Sequence, residues 1–349
     1  MNPELIEFTN TRNNPMIEPH FHVWGWELPV YLFLGGLVAG LMILSGYHML
    51  RDQIDKKGAK GHFLTTPLLS MGLISAGMLC LLLDLENPLY VWRLFLTFEP
   101  TSPMSWGSWI LMLVYPILMV STLVGIPQSM PFLTKLVPGL KPTFDKVIDF
   151  FRQPKFMSAL GWLNMGVGIS VGVYTGILLS ALSARPLWNS ALLGPLFLLS
   201  GLSAGAALMH ILTEITGKNE EDAKKQRPCM KLLSMCVIWL RPKSGEDHKL
   251  TKLDNVVLMM EFGVICLFFI GLISSSQVAQ DAAQLLLTGS YAAAFWCFVV
   301  ILGILVPLLL QFLQSKHRIQ QNLIPAIMVL GGGLALRFII LYAGQASHW

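Results

Sequence analysis

The chain has 349 residues, of which 54% are hydrophobic and only 13% charged, and its mean hydropathy is +0.61. Ordinary soluble domains carry about a quarter charged residues. A core of this size cannot hide so much apolar side chain, so a water-soluble fold is excluded and lipid is the expected solvent. The net charge of +4 is small and points to no nucleic-acid partner; its distribution along the chain is what carries information. The five cysteines, Cys80, Cys229, Cys236, Cys266 and Cys297, include no C-x-x-C pair, so no clustered iron–sulfur or structural zinc site is expected.

The N-terminal segment is polar, with no signal-peptide-like apolar region, and it carries His20, His22, Trp24 and Trp26. Eight apolar segments follow, at roughly 27–50, 62–84, 105–127, 156–182, 188–214, 253–273, 290–314 and 322–343. Each is long enough to cross a bilayer as a helix, which takes about 20 residues. The runs are continuous rather than alternating, so helices are indicated and not barrel strands. The first opens with Glu27 and Tyr31 and holds Leu34-Gly35-Gly36-Leu37-Val38-Ala39-Gly40. The second ends at Asp84, with Glu86 and Arg93 in the loop beyond. The third holds Tyr115-Pro116, and the fourth carries Gly168, Gly172 and Gly176 on one stripe. The fifth holds Leu199-Ser200-Gly201-Leu202-Ser203-Ala204-Gly205, a weak repeat of the motif in the first. The sixth has Glu261 near its middle, the seventh Pro307, and the eighth Arg337 in its second half. Small residues four apart let helices approach closely. A repeat unit of four helices keeps both halves in one orientation, with a pseudo-axis along the membrane normal.

Lysine and arginine set the orientation. The loops after spans one, three, five and seven hold 20 of them, while the N-terminal tail and the other loops hold only three, Arg12, Arg93 and Arg185. By the positive-inside rule both termini lie outside, which in a bacterium is the periplasm. Trp24, Trp26, Trp92, Trp106, Trp109 and Trp188 all fall near the outer helix ends, as an aromatic belt would. The two long inner loops, 128–155 and 215–252, each hold a semi-apolar stretch suited to a short interfacial helix.

Ionisable groups inside a bilayer are costly and mark function by default. Glu27, Asp84, Glu261 and Arg337 are those groups here. Glu261 and Arg337 lie within one to two turns of each other in depth, close enough for an ion pair or a proton-pathway role. Histidines sit near helix ends or in loops, none mid-helix, so a bis-histidine haem is not expected. Tyr115 is a hydrogen-bond donor for a ligand carbonyl, or else a packing residue.

Several stretches together resemble one family. They are Asp84-Leu85-Glu86-Asn87-Pro88, Trp92-Arg93 and Thr101-Ser102-Pro103-Met104-Ser105-Trp106-Gly107-Ser108-Trp109, with Tyr31–Gly40, Leu287–Trp296 leading to Pro307, and Gly331-Gly332-Gly333 through Arg337 to Gly344-Gln345. The chain resembles the NrfD/PsrC-like membrane subunits, as in polysulfide reductase, over essentially its whole length. The resemblance implies one membrane domain, 1–349, built as two four-helix bundles: residues 27–182 on the quinone side and 188–343, with 215–252 a cytoplasmic loop. It implies a quinone, menaquinone or ubiquinone, bound near the outer surface, and no haem or iron–sulfur cluster in the chain itself. It implies an iron–sulfur, ferredoxin-like partner on the periplasmic face, serving a molybdopterin catalytic subunit or a multihaem cytochrome. The location it implies is the cell inner membrane.

Two departures matter. Relatives of the polysulfide reductase type place an Asn and a His at the start of span one as quinone ligands, where this chain offers Glu27 and Tyr31 with His20 and His22 before them. The family's acidic-Leu-Gly-Arg-Pro pattern is Asp84-Leu85-Glu86-Asn87-Pro88. The expected site therefore comprises Glu27 and Asp84 for proton exchange and His22, Tyr31, Tyr115 and Arg93 for headgroup binding, with Glu261 and Arg337 as a proton pathway. The competing expectations are a proton-translocating or transporter module coupled to such a complex, and a passive anchor.

Overall fold

In a computed structural model of the chain, residues 24–54, 66–85, 87–129, 146, 149–182, 184–216, 247–315 and 323–347 are described. Among them there is no strand. Eight helices are long and apolar enough to cross a membrane. They are α1 (Glu27–Ile54), α2 (Thr66–Leu83), α3 (Pro103–Ser129), α4 (Pro154–Ser180), α5 (Leu193–Thr216), α6 (Asp247–Ile273), α7 and α8 (Ile324–Ala346). The seventh is composite: Ala292–Ala294 leads into a π-helical Phe295–Leu305 and then Val306–Ser315. With every backbone group bonded inside its own helix, each span tolerates hydrocarbon. This is a multi-pass, all-helical membrane protein.

The first helix is the centre of the molecule. Its most apolar stretch is 78% buried, against 28% for α2. It packs on α2, α4, α5 and α8. Lipid tails are as apolar as leucine, so close packing and hydrogen bonds must hold these contacts together. Glycine supplies the closeness. The two repeated motifs lie on each other where α1 crosses α5. A Cβ on Gly201 would reach the Gly36 backbone, with the Gly36 Cα at 3.0 Å, and one on Gly205 would lie 2.9 Å from the Gly40 Cα. Farther along, Gly46 and Gly161 bring α1 onto α4, Gly176 meets Leu193 and Gly194 of α5, and Gly303 of α7 touches Gly332 of α8.

Pro307 of α7 follows eleven residues of π-helix. The Val306 N–H bonds the Ile301 carbonyl, five residues back. Proline removes a donor and crowds the carbonyl four residues before it. Wider turns accommodate that loss, and they rotate the rest of the helix relative to an unbroken α-helix. By contrast, α3 runs unbroken through Pro116.

Residues 24 and 347 lie at one face of the bundle, here the terminal face. The Trp24 N–H donates to Gln345 Oε1 at 3.1 Å, and Gln345 Nε2 donates back to the Trp24 carbonyl at 3.1 Å. Arg185 donates to the Ser347 carbonyl at 2.8 Å. The fifth span begins at Leu193 rather than 188, because 184–192 forms turns. Trp188 therefore leaves the expected aromatic belt. It is 2% exposed, packs on Trp24 at a 5.5 Å ring separation, and donates its indole N–H to the Ile340 carbonyl at 2.9 Å. An indole away from water needs an acceptor, and α8 provides one. Trp26, Trp92, Trp106 and Trp109 are exposed, as a belt requires. The 274–289 connection adds an amphipathic helix, Gln277–Leu287, that buries Ala279, Ala282, Ala283 and Leu286. The semi-apolar stretches expected to form interfacial helices, 131–137 and 229–240, lie outside the described residues.

Candidate functional site

Four helices converge at the terminal face of the first half. Tyr31 lies four residues into α1 and Gly107 four into α3, while Gly77 and Tyr174 lie six before the ends of α2 and α4. At ~1.5 Å per residue these positions share one layer, roughly 6–9 Å below the helix ends. Glycines open that layer. A Cβ on Gly77 would sit 3.5 Å from the Tyr31 ring, and one on Gly107 would fall on the Tyr174 ring itself. Both tyrosines are buried. Each phenol hydroxyl can both donate and accept a hydrogen bond.

Above the tyrosines stand the two carboxylates expected there. Glu27 begins α1, half-buried beside Gly25. Asp84 sits in the turn that ends α2. Partial burial pushes the Asp84 carboxyl above its ordinary range, and the negative charge of Glu27 pushes it the same way. Glu27, Asp84 and Tyr31 thus lie at the same end of their helices, and Tyr174 lies in the same layer as Tyr31. Nothing in the sequence distinguished Tyr174 from any tyrosine in an apolar run; only its contact with Gly107 does.

The loop from α2 to α3 is built by the residues of the Thr101–Trp109 stretch. Ser105 accepts the Glu99 N–H at 2.9 Å, and Ser108 donates to the Leu94 carbonyl at 3.0 Å. Trp106 donates to the Pro100 carbonyl at 2.8 Å, and Glu99 accepts from the Thr101 hydroxyl at 2.8 Å. These bonds fold the loop, with its short helices Pro88–Tyr90 and Arg93–Leu96, against the start of α3. Arg93 is exposed on it, its guanidinium 4.7 Å from the Tyr90 ring centre and 5.6 Å from that of Trp92. Leu89, Tyr90, Trp92, Leu96 and Phe98 present a broad apolar surface around that charge.

Tyr115 stands apart from the tyrosine pair. It lies deeper on α3, and its hydroxyl shares a 3.2 Å hydrogen bond with Ser75 on the exposed side of α2. His22 lies outside the described residues.

The second half holds the other expected pair. Arg337 is wholly buried. It donates to the Ser200 hydroxyl, to the Gly333 carbonyl at 2.9 Å and to the Phe197 carbonyl at 3.0 Å, and lies 5.0 Å over the Phe197 ring. Gly36 leaves the space: a Cβ there would be 2.9 Å from Nη2. Glu261, also buried, accepts from Ser203 at 3.1 Å. It feels the charge of Arg337, with Ser200 beside both. The expected ion pair is therefore carried through serine hydroxyls on α5 rather than by direct contact. A further buried pair was missed. Gln311 of α7 donates to Asp254 of α6 at 2.6 Å. In sequence Asp254 passes for a charge at a helix end, because its partner is 57 residues away. Among the described residues no group of three or more His, Cys, Asp or Glu is placed to hold a metal ion.

Eight helices long and apolar enough to span, with polar side chains gathered at one face, describe a multi-pass membrane protein. The family model described as "Polysulphide reductase, NrfD" matches residues 13–242 and 229–347. The chain belongs to that family. It is 30% identical over 332 residues to a polysulfide reductase chain of Wolinella succinogenes, covering 93% of this sequence and 94% of that one. It is 30% identical over 340 residues to protein NrfD of Escherichia coli, covering 94% and 97%. It is 26% identical over 347 residues to a selenate reductase subunit of Mesobacillus selenatarsenatis, covering 93% and 75%.

Proposed function

We propose that this chain is the quinone-interacting membrane subunit of a respiratory oxidoreductase complex. It exchanges electrons between the quinone pool and an iron–sulfur partner at the terminal face, which the positive-inside rule makes the periplasmic side of the inner membrane. The observation that carries this reading is the buried pair Tyr31 and Tyr174, gathered in one layer beneath Glu27 and Asp84. Two phenols are suited to hydrogen-bond the carbonyl oxygens of a quinone headgroup. Interconverting quinone and quinol moves two protons with two electrons, so an acid–base group must stand within reach. Glu27 and Asp84 stand between the tyrosines and the aqueous surface, and Asp84 holds its proton more tightly than an ordinary carboxyl.

The names of the relatives, from polysulfide and selenate reductases, support membership of a multisubunit reductase. We assign the electron carriers to the partner, docked over Leu89, Tyr90, Trp92 and Phe98 of the α2–α3 loop with Arg93 among them. Aromatic and arginine side chains are enriched at such interfaces. A molybdopterin subunit or a multihaem cytochrome then completes the path of transfer. The two-fold relation of the halves, α1–α4 and α5–α8, has its support in the reciprocal contact of the two glycine motifs.

The test is quinol turnover by the purified complex. Tyr31→Phe with Tyr174→Phe removes both donors while keeping the rings, and quinol oxidation should fall with partner binding unchanged. An unaltered rate in the double variant would refute the assignment.

A further inference from the structure

The second half contains buried polar atoms that the quinone site does not use. Asp254 and Gln311 are both at least nine-tenths buried. Besides their mutual 2.6 Å bond, Asp254 Oδ1 and Gln311 Oε1 have no partner, and neither has Asn255 Oδ1 next along α6. One amide N–H does not compensate a carboxylate withdrawn from water. A proton on Oδ1 would cancel the charge and supply a donor to the acceptors around it. The π-helical turns above Gln311 set the rotation of this part of α7 and so its approach to α6.

The register of α5 on α6 ties this pair to Glu261. The two helices run antiparallel, with Ser203 bonded to Glu261. Seven residues on along α5, and seven back along α6, His210 comes level with Asp254. At ~1.5 Å per residue the two levels are about 10 Å apart. Ser200, Ser203, Ala207 and His210 share one stripe of α5, and Asp254 and Glu261 share one stripe of α6. Between the levels lie Ala206, Ala207, Val257 and Leu258, all buried and all apolar. Beyond Glu261 stands Arg337, fixed by three acceptors. A fixed cation repels a migrating proton, so the line ends at Glu261 on that side. The groups facing it are thus Ser200, Ser203 and His210 from α5, Gln311 from α7 and Arg337 from α8.

We infer that Asp254, held by Gln311, is a proton-loading site that opens toward the face opposite the termini and passes its proton to Glu261, forming a half-channel closed by Arg337. A proton arrives on Asp254 from that face. It moves on through water admitted to the alanine-lined layer, and Glu261 receives it while Asp254 returns to the carboxylate. Calling that face cytoplasmic, and coupling the line to turnover, rests on the function proposed above; the loading site itself does not.

The test uses the whole complex in sealed proteoliposomes, with orientation determined by protease access to each face. Infrared absorption of the protonated carboxyl is followed while the pH on each side is changed separately. A band should respond to pH at the face opposite the termini and not at the terminal face. It should vanish in Asp254→Asn and return, shifted, in Asp254→Glu. A band that follows the terminal-face pH, or one untouched in Asp254→Asn, overturns the inference. In the same vesicles an entrapped pH dye follows quinol turnover. With the line closed beyond Glu261, uptake from the opposite face should stop once its two carboxyls are loaded, and it should be lost when Asp254→Asn is combined with Glu261→Gln, while quinol oxidation, measured with an uncoupler present, continues. Equal uptake in wild type and Asp254→Asn also overturns it. Absence of quinol oxidation in the wild type would refute the proposed function and leave the infrared result to decide the loading site.

Discussion

Tyr174 on α4 lays its ring against the backbone of Gly107 on α3, in space that any Cβ at position 107 would fill. That contact holds the phenol in the same layer as Tyr31. Gly107→Ala must push the ring away while leaving both hydroxyls in the protein. Small displacements of positioned groups cost roughly ten- to a hundredfold in rate. Quinol turnover should fall within that range, and the thermal unfolding of the complex should change far less than in a core deletion. Parallel turnover and melting measurements check this.

Asp84 gives a pH prediction. Burial first, and Glu27 second, raise its folded-state titration above the ordinary carboxylate range. Raised means that the folded protein binds this proton more tightly than the unfolded protein does. The cost of ionising Asp84 is therefore present above its folded value and is relieved as pH falls through it. Glu27→Gln removes one of the two causes, so Asp84 should titrate at lower pH. Carboxyl infrared titration of Glu27→Gln against wild type, with Asp84→Asn to assign the band, measures the direction of the shift.

The crossing of α1 and α5 should be intolerant of any side chain. At Gly201 a Cβ would meet Gly36 backbone, which is unable to move aside as a flexible side chain would. Overpacking of this kind costs about 1–3 kcal/mol. Gly201→Ala should lower the melting temperature of the complex, whereas Gly263→Ala, with open space around its added Cβ, should not. Scanning fluorimetry in detergent compares the two.

Arg337 and Glu261 should be coupled though they do not touch. Removing Arg337 alone leaves a buried carboxylate and strips the Phe197 and Gly333 carbonyls of their donors. Breaking one side of a buried charge pair costs about 3–5 kcal/mol. Arg337→Met should therefore destabilise strongly, and adding Glu261→Gln should recover part of the loss. A double-mutant cycle on unfolding in mixed micelles gives the coupling energy.

Much of this architecture is legible in the sequence, for a physical reason. Lipid demands long unbroken apolar helices, so all eight spans announce themselves, and glycines four apart announce where helices approach. Glu27, Tyr31 and Asp84 can be placed together because each sits at the same end of its span. What escapes is what depends on partners distant in sequence. Trp188 is typical of a belt tryptophan until α8 offers it the Ile340 carbonyl. Tyr174 gains meaning only from Gly107, and Asp254 only from Gln311. Tyr115 carries the same chemistry as Tyr31, yet its helix turns it toward Ser75 on an exposed side. Residue type and depth locate a layer of the membrane, while helix rotation decides which side chains share a site.

The central claim is that Tyr31 and Tyr174 hold a quinone headgroup, and affinity tests it most directly. The purified complex is titrated with a soluble quinone analogue, followed by tryptophan quenching, in wild type, each single Tyr→Phe variant and the double variant. Each lost hydrogen bond is worth about 1 kcal/mol, or about fivefold in Kd. The account predicts Kd rising about fivefold in each single variant and further in the double, with the melting temperature preserved. Identical Kd values in wild type and double variant would contradict it.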